Sequence, residues 1–222
     1  MKSLRAFLVP ALSALAVVSA QAQQRFHNDD VTTDELVRSV GLERLPSSLP
    51  IPLDARNVTK LQQSGNLNTA RIDQQSLAAA SNQTYIVQAG AANVLGLTQI
   101  GSGNRLNVIQ NGADNRASYT QEGRNNATTI AQDGAHNRIQ GVIPNADMVL
   151  EGDNNTMKIT QTGNNNTVRG EVRESNRNYE IRQYGHDNTL VQVESTLQTP
   201  KGYTVEMRGQ GINLTIEQSK VR

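Results

Sequence analysis

Polar and apolar positions alternate along most of this chain, and the alternation restarts at a fixed interval. Side chains of an extended strand point to its two faces in turn. From Asn93, one face therefore carries Asn93, Leu95, Leu97 and Gln99. The same face next carries Asn104, Leu106, Val108 and Gln110, then Asn115, Ala117, Tyr119 and Gln121, then Asn126, Thr128, Ile130 and Gln132. The opposite face carries Val94, Gly96 and Thr98, then Arg105, Asn107 and Ile109, then Arg116, Ser118 and Thr120. One face is apolar and bracketed by amides; the other is mixed and polar, as expected of a half-buried strand.

The bracketing residues define an eleven-residue unit, Q-x-G-x-x-N followed by five residues. It reads Gln88-x-Gly90-x-x-Asn93, Gln99-x-Gly101-x-x-Asn104, Gln110-x-Gly112-x-x-Asn115, Gln121-x-Gly123-x-x-Asn126 and Gln132-x-Gly134-x-x-Asn137. A fixed short period signals a repeat architecture. Glycine takes positive φ without steric cost, and Asn both tolerates the left-handed region and bonds to nearby backbone. Each unit is thus expected to be a strand and a tight arc. Two units make one flattened coil of 22 residues, and stacked coils make an all-β solenoid with strands about 4.8 Å apart. Inward Asn and Gln are expected to stack as amide ladders, because an unpaired buried amide costs about 1–3 kcal/mol.

The frame extends on both sides of this regular stretch. Gln63-Ser-Gly65-Asn-Leu-Asn68 opens the repeats, which run through Ala70 and Ile72 to Gln74. Three extra residues precede Asn82, Thr84, Ile86 and Gln88. A second slip near Gly141 to Pro144 is expected to shorten the frame by four, with Leu150 then in a Gln position. Gly152, Asn155, Met157, Ile159 and Gln161 follow, then Gly163, Asn166, Val168, Gly170 and Val172, then Tyr179, Ile181, Gln183, Gly185, Asn188 and Leu190. The markers fade towards the end: Glu174 stands for the Gly, Arg177 for the Asn, and Glu194 and Val205 for the Gln. Such departures are usual in the capping repeats of solenoids. The count predicts about fourteen strands in about seven coils.

Residues 1–22 have the form of a secretory signal: Lys2 and Arg5, an apolar run from Phe7 to Val18, and an Ala20-Gln21-Ala22 cleavage site. The mature chain is then expected to start at Gln23. Residues 23–60 lack the repeat. Thr32-x-x-Glu35 resembles a capping box ahead of Leu36, Val37, Val40 and Leu42, and Pro46, Pro50 and Pro52 favour an extended stretch. The expected organisation is therefore 1–22 signal, 23–60 non-repeat segment and 61–222 solenoid, regular over 82–137 and degenerate over 145–222.

The pattern Q-x-G-x-x-N-x-[A/L]-x3-Q resembles the curlin repeat of curli fibre subunits. It covers residues 63–137 and, with departures, 150–192. The resemblance implies a bacterial protein secreted through the periplasm to the cell surface. There it would polymerise with itself and with other curlin subunits into functional amyloid fibres serving adhesion and biofilm matrix. It also implies export through a dedicated outer-membrane channel, and a minor subunit that nucleates the major one. The chain departs from the family in three places. Asn82, Asn93, Asn104, Asn115 and Asn126 stand where the family typically opens a coil with Ser; residues 23–60 are long; and the last third is irregular and charged, more like a minor subunit. Growth is expected to rest on residues 88–137.

Composition changes this picture little. Hydrophobic residues make up 36% and aromatics 3%, too few for an ordinary globule of this length but enough for a thin core with amide ladders. The net charge is +1, with no basic stripe interleaved with aromatics, which argues against nucleic acid. Arg105, Arg116, Arg138 and Arg169 are expected to point outward and discourage lateral sticking. No cysteine is present, so no disulfide supports the fold. No cofactor or metal motif appears.

Two other readings remain open. A β-helix enzyme acting on polysaccharide would need a carboxylate or basic cluster on one outer face. Asp114, Asp133, Asp153 and Asp187 lie in or beside turns, and His136 and His186 are expected in equivalent turn slots without a shared acid, so no enzymatic role is expected. A monomeric glycan-binding solenoid is the other reading, and it would stay monomeric. An ice-binding face is disfavoured, because Val94, Arg105, Arg116, Ala127 and Arg138 form no flat, uniform row.

Overall fold

The computed structural model describes residues 57–77, 80–143, 145–194 and 202–218. The expected signal segment and the short helix near Leu36 lie outside the described residues. Within them the fold is an all-β solenoid, with no helix. Fifteen strands form two parallel sheets. Sheet A stacks β1 (Asn57–Asn66), β3 (Asn82–Ala91), β5 (Arg105–Ala113), β7 (Ala127–Ala135), β10 (Thr156–Asn164), β12 (Asn178–His186) and β14 (Gly202–Gln210). Sheet B stacks β2 (Thr69–Ser76), β4 (Val94–Ser102), β6 (Arg116–Arg124), β8 (Arg138–Gln140) with β9 (Met148–Glu151) on one level, then β11 (Thr167–Val172), β13 (Thr189–Glu194) and β15 (Asn213–Gln218). Each sheet thus has seven rungs, separated by six full turns of the coil.

The chain alternates between the sheets, so like positions stack in register. Gln88 pairs with Gln110, and Gln110 with Gln132. The apolar positions from both sheets meet in one thin core that includes Ile86, Leu97, Leu106, Tyr119, Ile130, Ile159, Val168 and Tyr179. Burying one such side chain contributes about 1.5–3 kcal/mol. The outward face of sheet A adds something that alternation did not foretell. Val87, Ile109 and Ala131 form a second apolar row there, fully buried and separate from the core cluster.

The corners account for the glycines. Gly112 has φ +104°, and a Cβ added to it would lie 2.0 Å from the Gly134 carbonyl oxygen one rung on. Gly65, Gly90, Gly101, Gly123, Gly134, Gly163 and Gly185 meet the same restriction, at φ between +97° and +119° with a carbonyl within 2.1 Å, and Gly152 a looser one, 2.6 Å from the Glu174 carbonyl. The left-handed residue of each corner is not the marker Asn, as expected from sequence, but the residue before it. Ala92, Asp114, Asn125, His136, Asn154, Asn165 and Asp187 all have φ between 54° and 58°. The marker Asn is thereby released for the hydrogen bonds described below.

The register corrects three further expectations. The solenoid already includes Asn57, ahead of the expected boundary at 61, because Asn57, Thr59 and Leu61 pair with Asn82, Thr84 and Ile86. The second slip is an insertion, not a shortening. Ile139 pairs with Ala117 and Met148 with Tyr119, so the chain gains seven residues within a single rung. Asp147 closes that insertion by accepting hydrogen bonds from Ser118 and Thr120, the latter at 2.9 Å. Finally, Met207 and not Val205 occupies the Gln position, since it pairs with Gln183. Leu150, Glu174, Arg177 and Glu194 stand where sequence put them.

Candidate functional site

Four columns of polar side chains run along the solenoid, and they contain every Asn and Gln marker read from the sequence. On sheet A, Gln63, Gln88, Gln110, Gln132, Gln161 and Gln183 form one unbroken chain. Each Nε2 donates to the Oε1 of the following rung, at 2.6, 2.7, 2.8, 2.9 and 2.9 Å. From Gln88 onward each Nε2 also reaches across the core to a sheet B carbonyl: Thr69, Val94, Arg116, Arg138 or Thr167, at 3.1–3.3 Å. These side chains are fully buried from Gln88 to Gln183, and ladder and cross-core bonds satisfy both Nε2 hydrogens.

The corner from sheet A to sheet B holds Asn68, Asn93, Asn115, Asn137, Asn166 and Asn188. Each backbone N–H from Asn93 onward donates to the Oδ1 of the preceding Asn, at 3.1–3.3 Å. Each Nδ2 donates to the corner glycine carbonyl of the following rung, at 2.8–3.1 Å. One Asn thus ties three rungs together. The opposite corner repeats this with Asn57, Asn82, Asn104, Asn126 and Asn155, after which Arg177 donates its N–H to Asn155 Oδ1 at 2.9 Å.

The sheet B Gln column is short. Gln74 donates to Gln99 at 2.7 Å and Gln99 to Gln121 at 3.1 Å. Leu150, Val172 and Glu194 continue the column, and the buried Gln121 Nε2 is left without a partner. Where the amides end, charge takes over. Arg177 Nε lies 3.1 Å from Glu194 Oε1, both buried, and the Tyr179 hydroxyl donates to the other Glu194 oxygen. A buried ion pair is held by its geometry rather than by net Coulomb gain. Burial first, and then the Glu194 charge, push the Tyr203 phenol above its ordinary range, so it stays neutral.

The ends of the stack expose what the interior buries. Leu61 on β1 is 42% exposed, whereas Ile86 at the same position one rung in is 0%. Leu214 on β15 is 38% exposed, against 0% for Leu190. Among the described residues, no further strand pairs with the outer edge of β1, β2, β14 or β15, and such an edge is a template for a further strand. Residues 88–137, from which growth was expected, run from within β3 to the corner after β7 and lie inside the stack. Their edges already pair within the chain, which leaves the end rungs as the ones with a single neighbour among the described residues.

The outer faces carry runs of ion pairs, Lys158–Glu180–Arg182–Glu206–Arg208 on sheet A and Glu151–Arg173–Glu171 on sheet B. Among the described residues, no three His, Asp or Glu side chains gather closely enough to hold a metal ion. His136 approaches Asp114 at 3.8 Å on the exposed corner. His186 is not its equivalent, because it aligns with Asn164 and hence with Ala135. Arg105, Arg116 and Arg138 are exposed, and Arg169 is half-buried. The sequence reading missed Asn57, although Asn57-x-Thr59-x-Leu61-x-Gln63 repeats Asn82-x-Thr84-x-Ile86-x-Gln88 and carried the signal. No family model, curated protein or solved structure matches the chain.

Proposed function

We propose that the chain is a secreted structural subunit of curli-like functional amyloid fibres at the bacterial surface, serving cell adhesion and biofilm matrix. The observation that carries this reading is the pair of open end rungs. Core positions there are partly exposed, and among the described residues no further strand pairs with the outer edges, on a stack whose interior rungs repeat in register. Stacking another coil on such an end would continue the same backbone pairing between molecules. The resemblance of the Q-x-G-x-x-N units to the curlin repeat supports the same reading and implies the outer-membrane secretion channel as a partner. No catalytic role is part of it.

The test is unseeded incubation of the chain from Gln23 at micromolar concentration, followed by amyloid-dye fluorescence and sedimentation. A lag followed by sedimenting, dye-positive fibres is expected. A chain that remains a β-rich monomer for days would favour the glycan-binding solenoid instead.

A further inference from the structure

The two ends of the stack differ chemically. The β1–β2 rung carries all four marker amides: Asn57, Gln63, Asn68 and Gln74. At the β14–β15 rung, Met207 stands opposite Gln183, and Ile212 donates its N–H to Asn188 Oδ1 but offers no oxygen of its own to a further rung. Among the described residues of that rung, Gln218, aligned with Glu194, is the one that keeps a marker type.

The ladders also have a direction. An Asn Oδ1 always receives the backbone N–H of the following rung, a bond whose donor is unambiguous. A Gln Oε1 always receives Nε2 from the preceding rung. The β1–β2 end therefore needs, from whatever docks on it, an Asn Oδ1 to meet the Asn68 N–H and a Gln Nε2 to meet Gln63 Oε1. The β14–β15 end of a second copy would bring a hydrocarbon at Ile212 and a thioether at Met207 to those two places. A joint between copies keeps the backbone pairing and the apolar rows but breaks both ladders.

We propose that this chain elongates a fibre from its β1–β2 end, that its β14–β15 end acts as a terminator, and that the partner fitted to the β1–β2 end is another amide-laddered solenoid whose last rung carries both Asn and Gln markers. This rests on the reading of the chain as a fibre subunit. The consequence is polarity. The molecule templates in one direction, and it joins itself slowly.

The test rebuilds the missing markers in the full chain from Gln23. The double variant Met207→Gln, Ile212→Asn supplies both groups to the next copy and should elongate from its own seeds about tenfold faster than the unaltered chain. Adding Gln63→Leu at the opposite end should cancel most of the gain. Ile212→Asn alone, on a half-exposed outer rung, should give about threefold and serves if Met207→Gln disturbs folding, which circular dichroism would show. Fibres that elongate at the same rate with and without the rebuilt markers, or a gain untouched by Gln63→Leu, would overturn the polarity. If neither the unaltered chain nor any variant forms fibres, the fibre reading itself falls, and the polarity with it.

Discussion

Sheet A and sheet B share one pitch and one repeat, yet the Gln ladder persists over six rungs of sheet A and only three of sheet B. In sheet A the Gln column runs unbroken from Gln63 to Gln183, and the exit glycines stack from Gly65 through Gly185 onto Gly209. Every insertion lies in or after sheet B, and the described Gln position that sheet A loses is the one at Met207. Successive rungs are separated by 25, 22, 22, 29, 22 and 24 residues. The three surpluses enter after β2, between β8 and β9, and after β13. The physical difference is what each Gln can reach. A sheet A Gln donates both to its neighbour and to a carbonyl across the core, whereas Gln99 and Gln121 bond within their own column and to Thr84. Removing a sheet A amide leaves two partners unmet; ending the sheet B column leaves Gln121 Nε2 unmet. The longer, cross-braced Gln column of sheet A sets the register, and sheet B is free to vary.

The stack can be broken most severely at its corners, where the glycines of both sheets meet the same restriction. Gly134→Ala puts a Cβ 2.0 Å from the Gly163 carbonyl at φ +119°. Thermal or denaturant unfolding should show a loss of about 3 kcal/mol or more. Gly96→Ala on sheet B has only Ser118 Oγ nearby, at 3.5 Å, and should change stability by less than about 1 kcal/mol.

The Gln columns offer the sharper contrast. Gln132→Leu interrupts a ladder and orphans Gln110 Nε2 and Gln161 Oε1, so a loss of about 2–3 kcal/mol is expected. Gln121→Leu only moves the existing orphan to Gln99 and should cost under about 1 kcal/mol. Equal losses in the same denaturation experiment would contradict the assignment of register to sheet A. Sheet B also holds a buried Gln192 with neither amide atom partnered, in the column of Leu97, Tyr119 and Met148. Gln192→Leu should therefore stabilise the solenoid by about 1–2 kcal/mol, read as a raised midpoint.

The smallest effect is electrostatic and lies on the outer face of sheet A. Partial burial pushes the Glu180 carboxyl up, but hydrogen bonds and charge from Lys158 and Arg182 outweigh it and hold the group below its ordinary value. A depressed carboxyl stabilises the fold above its unfolded pKa. That contribution disappears as pH falls through the lower, folded value. Glu180→Gln should thus reduce stability at neutral pH by less than about 1 kcal/mol and change nothing in strong acid, with added salt shrinking the difference.

Much of this was legible in the sequence because a solenoid repeats its instructions. The apolar face, the marker amides and the corner glycines could each be read several times over. Phase was harder wherever residues were added. Leu150 falls in the Gln position whether the chain loses four residues from a whole coil or gains seven within a half-coil, so periodicity alone could not distinguish them. Pairing of Met148 with Tyr119 decides it. The shift from Val205 to Met207 has the same origin, in the interval after β13. The outward row of Val87, Ile109 and Ala131, and the cross-core bonds of the sheet A Gln side chains, arise between rungs or between sheets. A single period does not encode them.

The central claim is that this stack continues from one molecule to the next. Fibre diffraction on aligned aggregates of the chain from Gln23 tests it most directly. The account predicts a meridional reflection at about 4.7–4.8 Å with an equatorial spacing near ~10 Å. Aggregates without the meridional reflection, or a chain that yields only soluble monomer, would contradict it.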